Sequence, residues 1–198
     1  MELTFVGKRA KRRRPAVESQ VCDLCGTEMT ERLATSNSPY PYTISGLKNV
    51  FLVNIPIKKC SNPACLAESV VIPRIAALHR LITESLLTKP FLLSGNEIRF
   101  LRKEAGIAAK SLAAKLNVTP EHLSRVENGK SGKRKLRKEA FGPQADKLIR
   151  AIIAVSACHD QEASKLLLSE TEMLAPAKPV TFTIPLNHDR WGKMAIGQ

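Results

Sequence analysis

Four of the five cysteines stand in two pairs whose spacing is typical of metal ligands. Cys22 and Cys25 enclose two residues, and Cys60 and Cys65 enclose four, so each short turn brings two sulfur atoms together. Four thiolates form a closed tetrahedral site, and zinc suits them because it is matched to sulfur ligands and has no redox chemistry. We therefore expect one structural Zn2+ per chain and no catalytic water. Two disulfides, a redox switch or unconnected core cysteines are the alternatives.

Cys158, His159 and Asp160 resemble a nucleophile with its base in residue type alone. Side chains at adjacent helical positions point in different directions, so these three residues are poorly placed to form a hydrogen-bonded relay. A buried helical cysteine is the simpler interpretation of Cys158. Because no other group of residues suggests catalysis, we expect that the protein is not an enzyme and has no catalytic residues.

The charge balance favours a polyanionic partner. The chain has 31 Lys and Arg against 18 Asp and Glu, which gives a net charge of +13, and nucleic acid is the leading partner for such a chain. Aromatic residues make up only 5% of the sequence, which disfavours a stacking platform for single strands. Double-stranded DNA is therefore the expected partner.

Two basic runs add to this expectation. Residues 8–14 have nothing to bury and are interpreted as an extended arm that follows a minor groove, contacts RNA or aids solubility. Residues 130–138 hold six Lys or Arg in nine positions and either contact phosphates or form a solvated surface.

Membrane and secretory features are not evident in the sequence. No apolar run approaches the roughly 18 residues that a spanning helix requires, and residues 1–7 do not form a secretory signal. We therefore expect a cytoplasmic protein without a membrane partner.

The sequence predicts short strands in its first part and a helix after them. Residues 40–44, 50–55 and 69–72 are rich in aromatic and β-branched residues, which predicts short strands between the cysteine pairs and beyond. Apolar residues at spacings of three and four then predict a connecting helix that ends at Lys89-Pro90. The segment 175–198 contains three prolines and little that predicts order.

Three short helices are predicted in close succession after Pro90. Ser94 and Glu97 form a capping box at the start of the first helix, which Gly106 ends. The second covers residues 108–116, and Thr119-Pro120 begins the third. A longer helix starts at Pro143, and its apolar stripe is formed by Ala145, Leu148, Ile149, Ile152 and Ile153.

The second and third of these helices have the pattern of a helix-turn-helix. Their shared core would contain Leu112, Ala113, Leu116, Val118, Leu123 and Val126, which leaves Glu121, His122, Ser124 and Arg125 facing outward. Arg125 is the best candidate for reading guanine, Ser124 suits a base or a phosphate, and Glu121 suits cytosine or the helix N-terminus. The full set of expected DNA contacts is Lys110, Ser111, Thr119, Glu121, His122, Ser124, Arg125, Asn128, Lys130, Lys133, Arg134 and Lys135.

Residues 112–119 and 123–130 resemble the Cro/repressor-like (XRE) helix-turn-helix family. Asn117 stands where that family usually has Gly, and Asn tolerates the left-handed backbone of the turn. Ala109 stands where the family commonly has a Gln that contacts the DNA backbone. The resemblance therefore implies that this contact is absent or comes from Lys110 or Ser111.

The segment from Cys22 to about Val155 is also similar to YgiT-type zinc finger/helix-turn-helix proteins, which include MqsA-like antitoxins. The similarity lies in the paired cysteines, residues 46–50, Ile72-Pro73 and the Ser-Arg-x-Glu-Asn-Gly element at 124–129. It implies a DNA-binding homodimer that represses a promoter, with a zinc module that braces the chain or docks a partner such as a toxin.

The expected fold is α+β, with a small zinc-bound β-rich module followed by an all-α helix-turn-helix domain. The expected parts are a basic arm (1–20), a zinc module (21–73), a connecting helix (74–90), a DNA-binding domain (91–157) and a C-terminal helix and tail (158–198). The expected function is sequence-specific transcriptional regulation, most readily repression. The alternative is an antitoxin that binds a toxin and autoregulates its operon.

Overall fold

The computed structural model describes residues 21–129, 141–157 and 180–197. The helices are α1 (Ile75–Thr88), α2 (Gly95–Glu104), α3 (Ala109–Lys115), α4 (Pro120–Glu127) and α5 (Pro143–Ser156). The strands are β1 (Met29–Leu33), β2 (Tyr40–Pro41), β3 (Val50–Val53), β4 (Pro56–Cys60), β5 (Glu68–Val70), β6 (Thr181–Asn187), β7 (Arg190–Trp191) and β8 (Ala195–Gly197). A β-rich N-terminal part therefore precedes the helices, which confirms the expected mixed class.

The chain divides into two compact units, and the division does not follow the predicted 21–73 module. Among the described residues, the first unit contains 21–32 and 57–69, and the second contains 33–56 and everything from 70 onward. Strands β2 and β3, which were expected beside the cysteines, belong to the second unit. The reason is hydrogen bonding, since β3 pairs with β6 from the far end of the chain.

The first unit is built on a three-stranded sheet in the order β1-β4-β5. The middle strand ends at Cys60, whose backbone N–H donates to the carbonyl of Ala67 at 3.0 Å. The next N–H, that of Ser61, donates to the carbonyl of Glu28 at 3.1 Å. These two bonds hold the end of β4 between the chain segments on either side of it.

The second unit contains a five-stranded sheet in which β6 is central. Its order is β2-β3-β6-β7, and β8 also pairs with β6. Strands β3 and β6 are parallel, with Val50 opposite Phe182 and Leu52 opposite Ile184, and all four of these side chains are buried. The expectation of little order in residues 175–198 is therefore wrong for residues 180–197. The alternation of Phe182 and Ile184 with threonines was a strand signal that the flanking prolines obscured.

Helices α1 and α2 lie close to their predicted positions. The apolar residues of α1 that recur every three or four positions form its buried face, which includes Leu78, Ile82 and Leu86. The Ser94–Glu97 capping box is present at the start of α2, which confirms that expectation. Among the helices of the described residues, none is both long enough and apolar enough to cross a membrane.

Helix α5 begins at Pro143 as predicted, but its buried stripe is displaced from the predicted one. Ile149 and Ile153 are buried, whereas Leu148 is 42% exposed and two charged residues, Asp146 and Arg150, are buried in its place. Hydrogen bonding explains the difference. The Arg150 guanidinium donates to the carbonyl oxygens of Leu86, Leu87, Lys89 and Phe91 at 2.6 to 3.0 Å.

The buried Asp146 completes this arrangement. One of its oxygens accepts from the Arg150 Nε atom and the other from the backbone N–H of Leu93, both at 2.6 Å. A buried charge is tolerated only when it is paired and hydrogen-bonded, as both groups are here. The pair therefore fixes α5 against the segment that joins α1 to α2.

Candidate metal centre and DNA interface

In the first unit the four predicted ligands lie together. The Sγ atom of Cys22 is 3.7 Å from that of Cys65, and the Sγ atom of Cys25 is 3.4 Å from that of Cys60. All four sulfurs lie within 4.8 Å of one another. A tetrahedral ion with bonds of about 2.3 Å places its sulfur ligands roughly 3.8 Å apart. Because all four cysteines are free, the cluster fits a metal ion rather than two disulfides.

Each cysteine pair is held by a tight turn. In the first turn the N–H of Gly26 donates to the carbonyl of Cys22 at 2.8 Å, and Gly26 has a φ of +69°. In the second, the N–H of Asn62 donates to the Cys60 sulfur at 3.4 Å, and the N–H of Cys65 donates to the Asn62 carbonyl at 2.9 Å. These bonds fix the local geometry of each pair, and the end of β4 places the second pair opposite the first.

The thiols differ in how readily they ionise. Hydrogen bonds with the hydroxyl and the backbone of Thr27, and with the Cys60 sulfur, lower the pKa of Cys25 to about 6. The N–H of Asn62 lowers the pKa of Cys60, but burial and the neighbouring Cys25 and Cys22 sulfurs outweigh it and raise that pKa to about 12. Full ionisation of the cluster therefore needs a nearby cation, which a divalent metal would supply.

In the second unit, α3 and α4 form the predicted helix-turn-helix. Asn117 lies between them with a φ of +53°, which confirms that it adopts the left-handed conformation of the turn. The side chains of Leu112, Ala113 and Leu123 are fully buried where the helices meet. Thr119 caps α4, since its hydroxyl accepts from the backbone N–H of His122 at 3.2 Å. The cap is therefore present, and half of the expected shared core is buried, whereas Leu116, Val118 and Val126 are only partly buried.

A largely buried ion pair joins α2 to α4 on the side of α4 that faces the rest of the unit. The Nε and Nη2 atoms of Arg102 donate to the two carboxylate oxygens of Glu127 at 2.7 and 2.8 Å. The remaining Nη1 atom donates to the carbonyl of Ile107 at 2.9 Å. This two-bond geometry allows little rotation of either side chain. The end of α4 is consequently held in a fixed position relative to α2.

The outward side of α4 is available to a ligand. Glu121, His122, Ser124 and Arg125 are exposed, and so are the other described residues of the expected contact set, which are Lys110, Ser111, Thr119 and Asn128. The Nε atom of Arg125 donates to the carbonyl of Glu121 at 3.3 Å, and neither Nη group has a hydrogen-bond partner among the described residues. The expected contacts Lys130, Lys133, Arg134 and Lys135 lie outside the described residues, as do Cys158 and residues 8–14.

Two contacts near α4 were missed by sequence reasoning. Arg99 of α2 donates from its Nη1 atom to the Asn128 side-chain oxygen at 3.1 Å, and the ring of His122 meets that of Phe141 edge-on at 5.8 Å. Neither has a local signal, because each joins residues that are far apart in sequence. Both therefore depend on how the helices pack.

Comparison with known proteins bears on the second unit. A family model described as helix-turn-helix matches residues 98–138, which include most of α2 and all of α3 and α4. The match supports an XRE-type helix-turn-helix domain in this chain and, with it, a DNA-binding regulator of transcription. No curated protein and no solved structure matches the chain.

Proposed function

We propose that the protein is a sequence-specific regulator that binds double-stranded DNA and represses transcription. The observation that carries this proposal is the contrast between the two sides of α4. Leu123 and Glu127 are buried against the rest of the unit, whereas Ser124 and Arg125 are exposed on the other side. A rigid helix with exposed polar side chains is what major-groove recognition requires.

Within this proposal Arg125 reads guanine, because its two free Nη groups can donate to the O6 and N7 atoms together. Ser124 contacts a base or a phosphate, and Glu121 accepts from cytosine or stabilises the helix N-terminus. The proposed supporting contacts are Lys110, Ser111, Thr119, His122, Asn128, Lys130, Lys133, Arg134 and Lys135.

The test is selection of bound duplexes from random DNA, followed by a salt titration of the selected sequence. Specific binding should exceed binding to unrelated DNA by roughly 10³-fold or more. The logarithm of the binding constant should fall linearly with the logarithm of the salt concentration. The slope should be proportional to the number of phosphates that the protein neutralises. Equal affinity for selected and unrelated duplexes would reject sequence-specific regulation.

We further propose that the four-cysteine cluster holds one structural Zn2+. The four sulfur donors and their tetrahedral spacing support this assignment. No ligand position is left open for water or substrate, so the metal would stabilise the turns rather than perform catalysis. On this proposal the protein acts in the cytoplasm, where its DNA lies, and is not an enzyme.

We propose that the regulator is a homodimer that pairs through α5. Leu148, Ile152 and Val155 are spaced by four and three residues and so share one face of that helix. Leu148 and Val155 are 42% and 56% exposed. A second copy would cover this face and present two reading helices to paired half-sites.

An antitoxin role is the second candidate, and the exposed apolar residues of the first unit favour it. Leu24 and Leu66 are 81% and 86% exposed, and each is adjacent to a cysteine of the cluster. The described part of this unit also has three basic and four acidic residues, so by itself it has no excess of positive charge to attract DNA. The exposed leucines of this unit would pack better against an apolar surface of a partner protein than against DNA.

The test is co-expression with the product of the adjacent gene. A toxin should co-purify with the wild-type chain and be lost when Leu24 and Leu66 are both changed to Ser. The Arg125→Ala variant is the control and should retain the toxin. Absence of a complex with the wild-type chain would leave regulation alone as the function.

A further inference from the structure

A chain of hydrogen bonds connects α2 to the reading side of α4. The Nη1 atom of Arg99 donates to the Asn128 side-chain oxygen at 3.1 Å. The Nδ2 atom of Asn128 then donates to the backbone carbonyl of Ser124 at 2.8 Å and to its hydroxyl oxygen at 3.2 Å. All three residues are exposed, so the network lies at the protein surface.

The chemistry of Arg99 fixes the direction of every bond in this network. A guanidinium group has donors and no acceptor, so the Asn128 atom that faces it must be the oxygen. The amide nitrogen must then face Ser124. Since that nitrogen can only donate, the Ser124 oxygen acts as acceptor and its hydroxyl proton is directed elsewhere.

We propose that this network makes Ser124 a hydrogen-bond donor to DNA, with Arg99 and Asn128 as its positioning residues. The inference rests on the proposed DNA-binding function and deepens it. A directed donor suits an acceptor atom, either a phosphate oxygen or a base acceptor such as guanine O6 or N7, adenine N7 or thymine O4. It does not suit the amino groups of cytosine or adenine.

The alternative role for Arg99 is a direct contact with a phosphate, and the two roles give different results. If Arg99 acts through Ser124, the effects of losing each residue are not additive. If Arg99 contacts a phosphate itself, its loss weakens binding whatever residue 124 is. It also reduces the slope of the salt dependence by about 0.9.

The first arm of the experiment uses the free protein and follows the side-chain NH2 resonances of Asn128 by NMR. Both Arg99→Met and Ser124→Ala should shift them, because each removes one bond to the amide. Arg99→Lys retains a donor and should restore resonances close to those of the wild type. Unchanged resonances in Arg99→Met would overturn the proposal, and thermal unfolding checks that each variant is folded.

The second arm measures affinity for the selected duplex. Ser124→Ala and Arg99→Met should each lower it roughly fivefold, which corresponds to about 1 kcal/mol. In the Ser124→Ala background, Arg99→Met should add less than about twofold, and the salt slope should not change. Lys103→Met, one turn further along α2, is the control for loss of a positive charge. Equal losses from Arg99→Met in both backgrounds would overturn the proposal.

The acceptor is then identified with modified duplexes. Single base substitutions abolish the Ser124 contribution if it contacts a base, and a single methylphosphonate abolishes it if it contacts a phosphate. Either result supports the proposal. A wild-type chain without duplex preference would instead reject the proposed function, and the NMR arm would still report separately whether the network exists.

Discussion

Arg125 is the residue on which the proposed reading of DNA depends most. Its Nε atom donates to the Glu121 carbonyl, which orients the side chain and leaves the two Nη groups to donate to guanine. Orientation before binding reduces the entropy that must be lost in the complex. The exposed position of Arg125 also means that replacing it should not disturb the core.

We therefore predict that Arg125→Ala lowers affinity by about 1–3 kcal/mol at one base position and relaxes the preference there. The measurement is competition binding with duplexes substituted at each position of the selected sequence. Lys115→Ala, which removes an exposed cation at the end of α3, is the control. It should weaken binding to all duplexes equally or leave it unchanged. A variant with an unchanged base preference would mean that Arg125 is not a base reader.

Gly95 is required for a different reason, because α2 begins against the end of α4. A Cβ atom at Gly95 would overlap the carbonyl oxygen of Val126 and lie 2.9 Å from its carbon. Both obstructing atoms are backbone, so a rotation of a side chain cannot relieve the contact. The approach of the two helices thus depends on the absence of a side chain.

We expect Gly95→Ala to destabilise the protein by about 1–3 kcal/mol through this overlap. Chemical denaturation of the full chain measures the effect. Gly142→Ala is the control, because among the described residues its Cβ would meet only a Gln144 side-chain oxygen at 3.9 Å. A loss of about 0.5–1 kcal/mol is expected there, since Gly142 is the N-cap of α5 and Ala is a poorer N-cap than Gly. Similar losses in both variants would contradict the close approach of α2 and α4.

At the scale of elements, the first unit has little hydrophobic core among its described residues, and a metal bound by the two cysteine turns would stabilise it instead. The described part of the first unit is small, and its sheet has only three short strands. Units of this size rarely bury enough apolar surface to fold alone. Metal binding would supply the missing free energy, because four ligands must converge for it to occur.

We predict about one zinc ion per chain, lost progressively as the pH falls and the thiolates are protonated. The sign follows from the thiols, since the raised pKa of Cys60, about 12, and that of Cys65, also raised, mean that protons must leave before the metal binds. Lower pH therefore favours the metal-free protein. Metal content after dialysis at fixed free zinc provides the measurement.

The cysteine variants offer an internal control for this prediction. Cys60→Ser should abolish zinc binding and unfold the first unit, as circular dichroism would show, whereas Cys158→Ser should retain a full equivalent of zinc. A metal-free chain with an unchanged spectrum would refute the structural role of the metal.

At the scale of the whole molecule, the two units divide the chemistry between them. The described part of the first unit has three basic and four acidic residues and exposed leucines, and the second unit contains the helix-turn-helix and the apolar face of α5. On the proposed functions, the first unit would contact a partner protein and the second would contact DNA.

We predict that the protein is dimeric in solution and that Leu148→Gln with Val155→Gln makes it monomeric. Two polar amides on the shared face would have to lose water without a matching partner. Sedimentation velocity measures the change, and Ile75→Gln, at a similarly exposed position on α1, should leave the dimer intact. A wild-type monomer at concentrations that saturate DNA would reject this interface.

The sequence alone determined the features that depend on neighbouring residues. The cysteine spacing, the Ser94–Glu97 capping box, the Thr119-Pro120 helix start and the Asn117 turn all involve residues within a few positions of one another. Each is set by local hydrogen bonding or backbone sterics, which act before the chain folds. For that reason the two cysteine turns and the helix-turn-helix were predictable in some detail, whereas the convergence of the two turns joins residues 35 positions apart and depends on tertiary structure.

Tertiary structure decided the features that join distant segments. The side chain of Asn49 donates to the carbonyl of Val180, 131 positions away, beside the parallel pairing of β3 with β6, and Arg150 reaches carbonyls more than 58 positions away. From the sequence alone, a charged residue within an apolar stripe is expected to be exposed. Arg150 is buried because carbonyl groups outside its own helix accept its hydrogen bonds. The division of the predicted 21–73 module, the ordered strands of residues 180–197 and the Arg99 network all depend on contacts between distant segments, which local patterns do not encode.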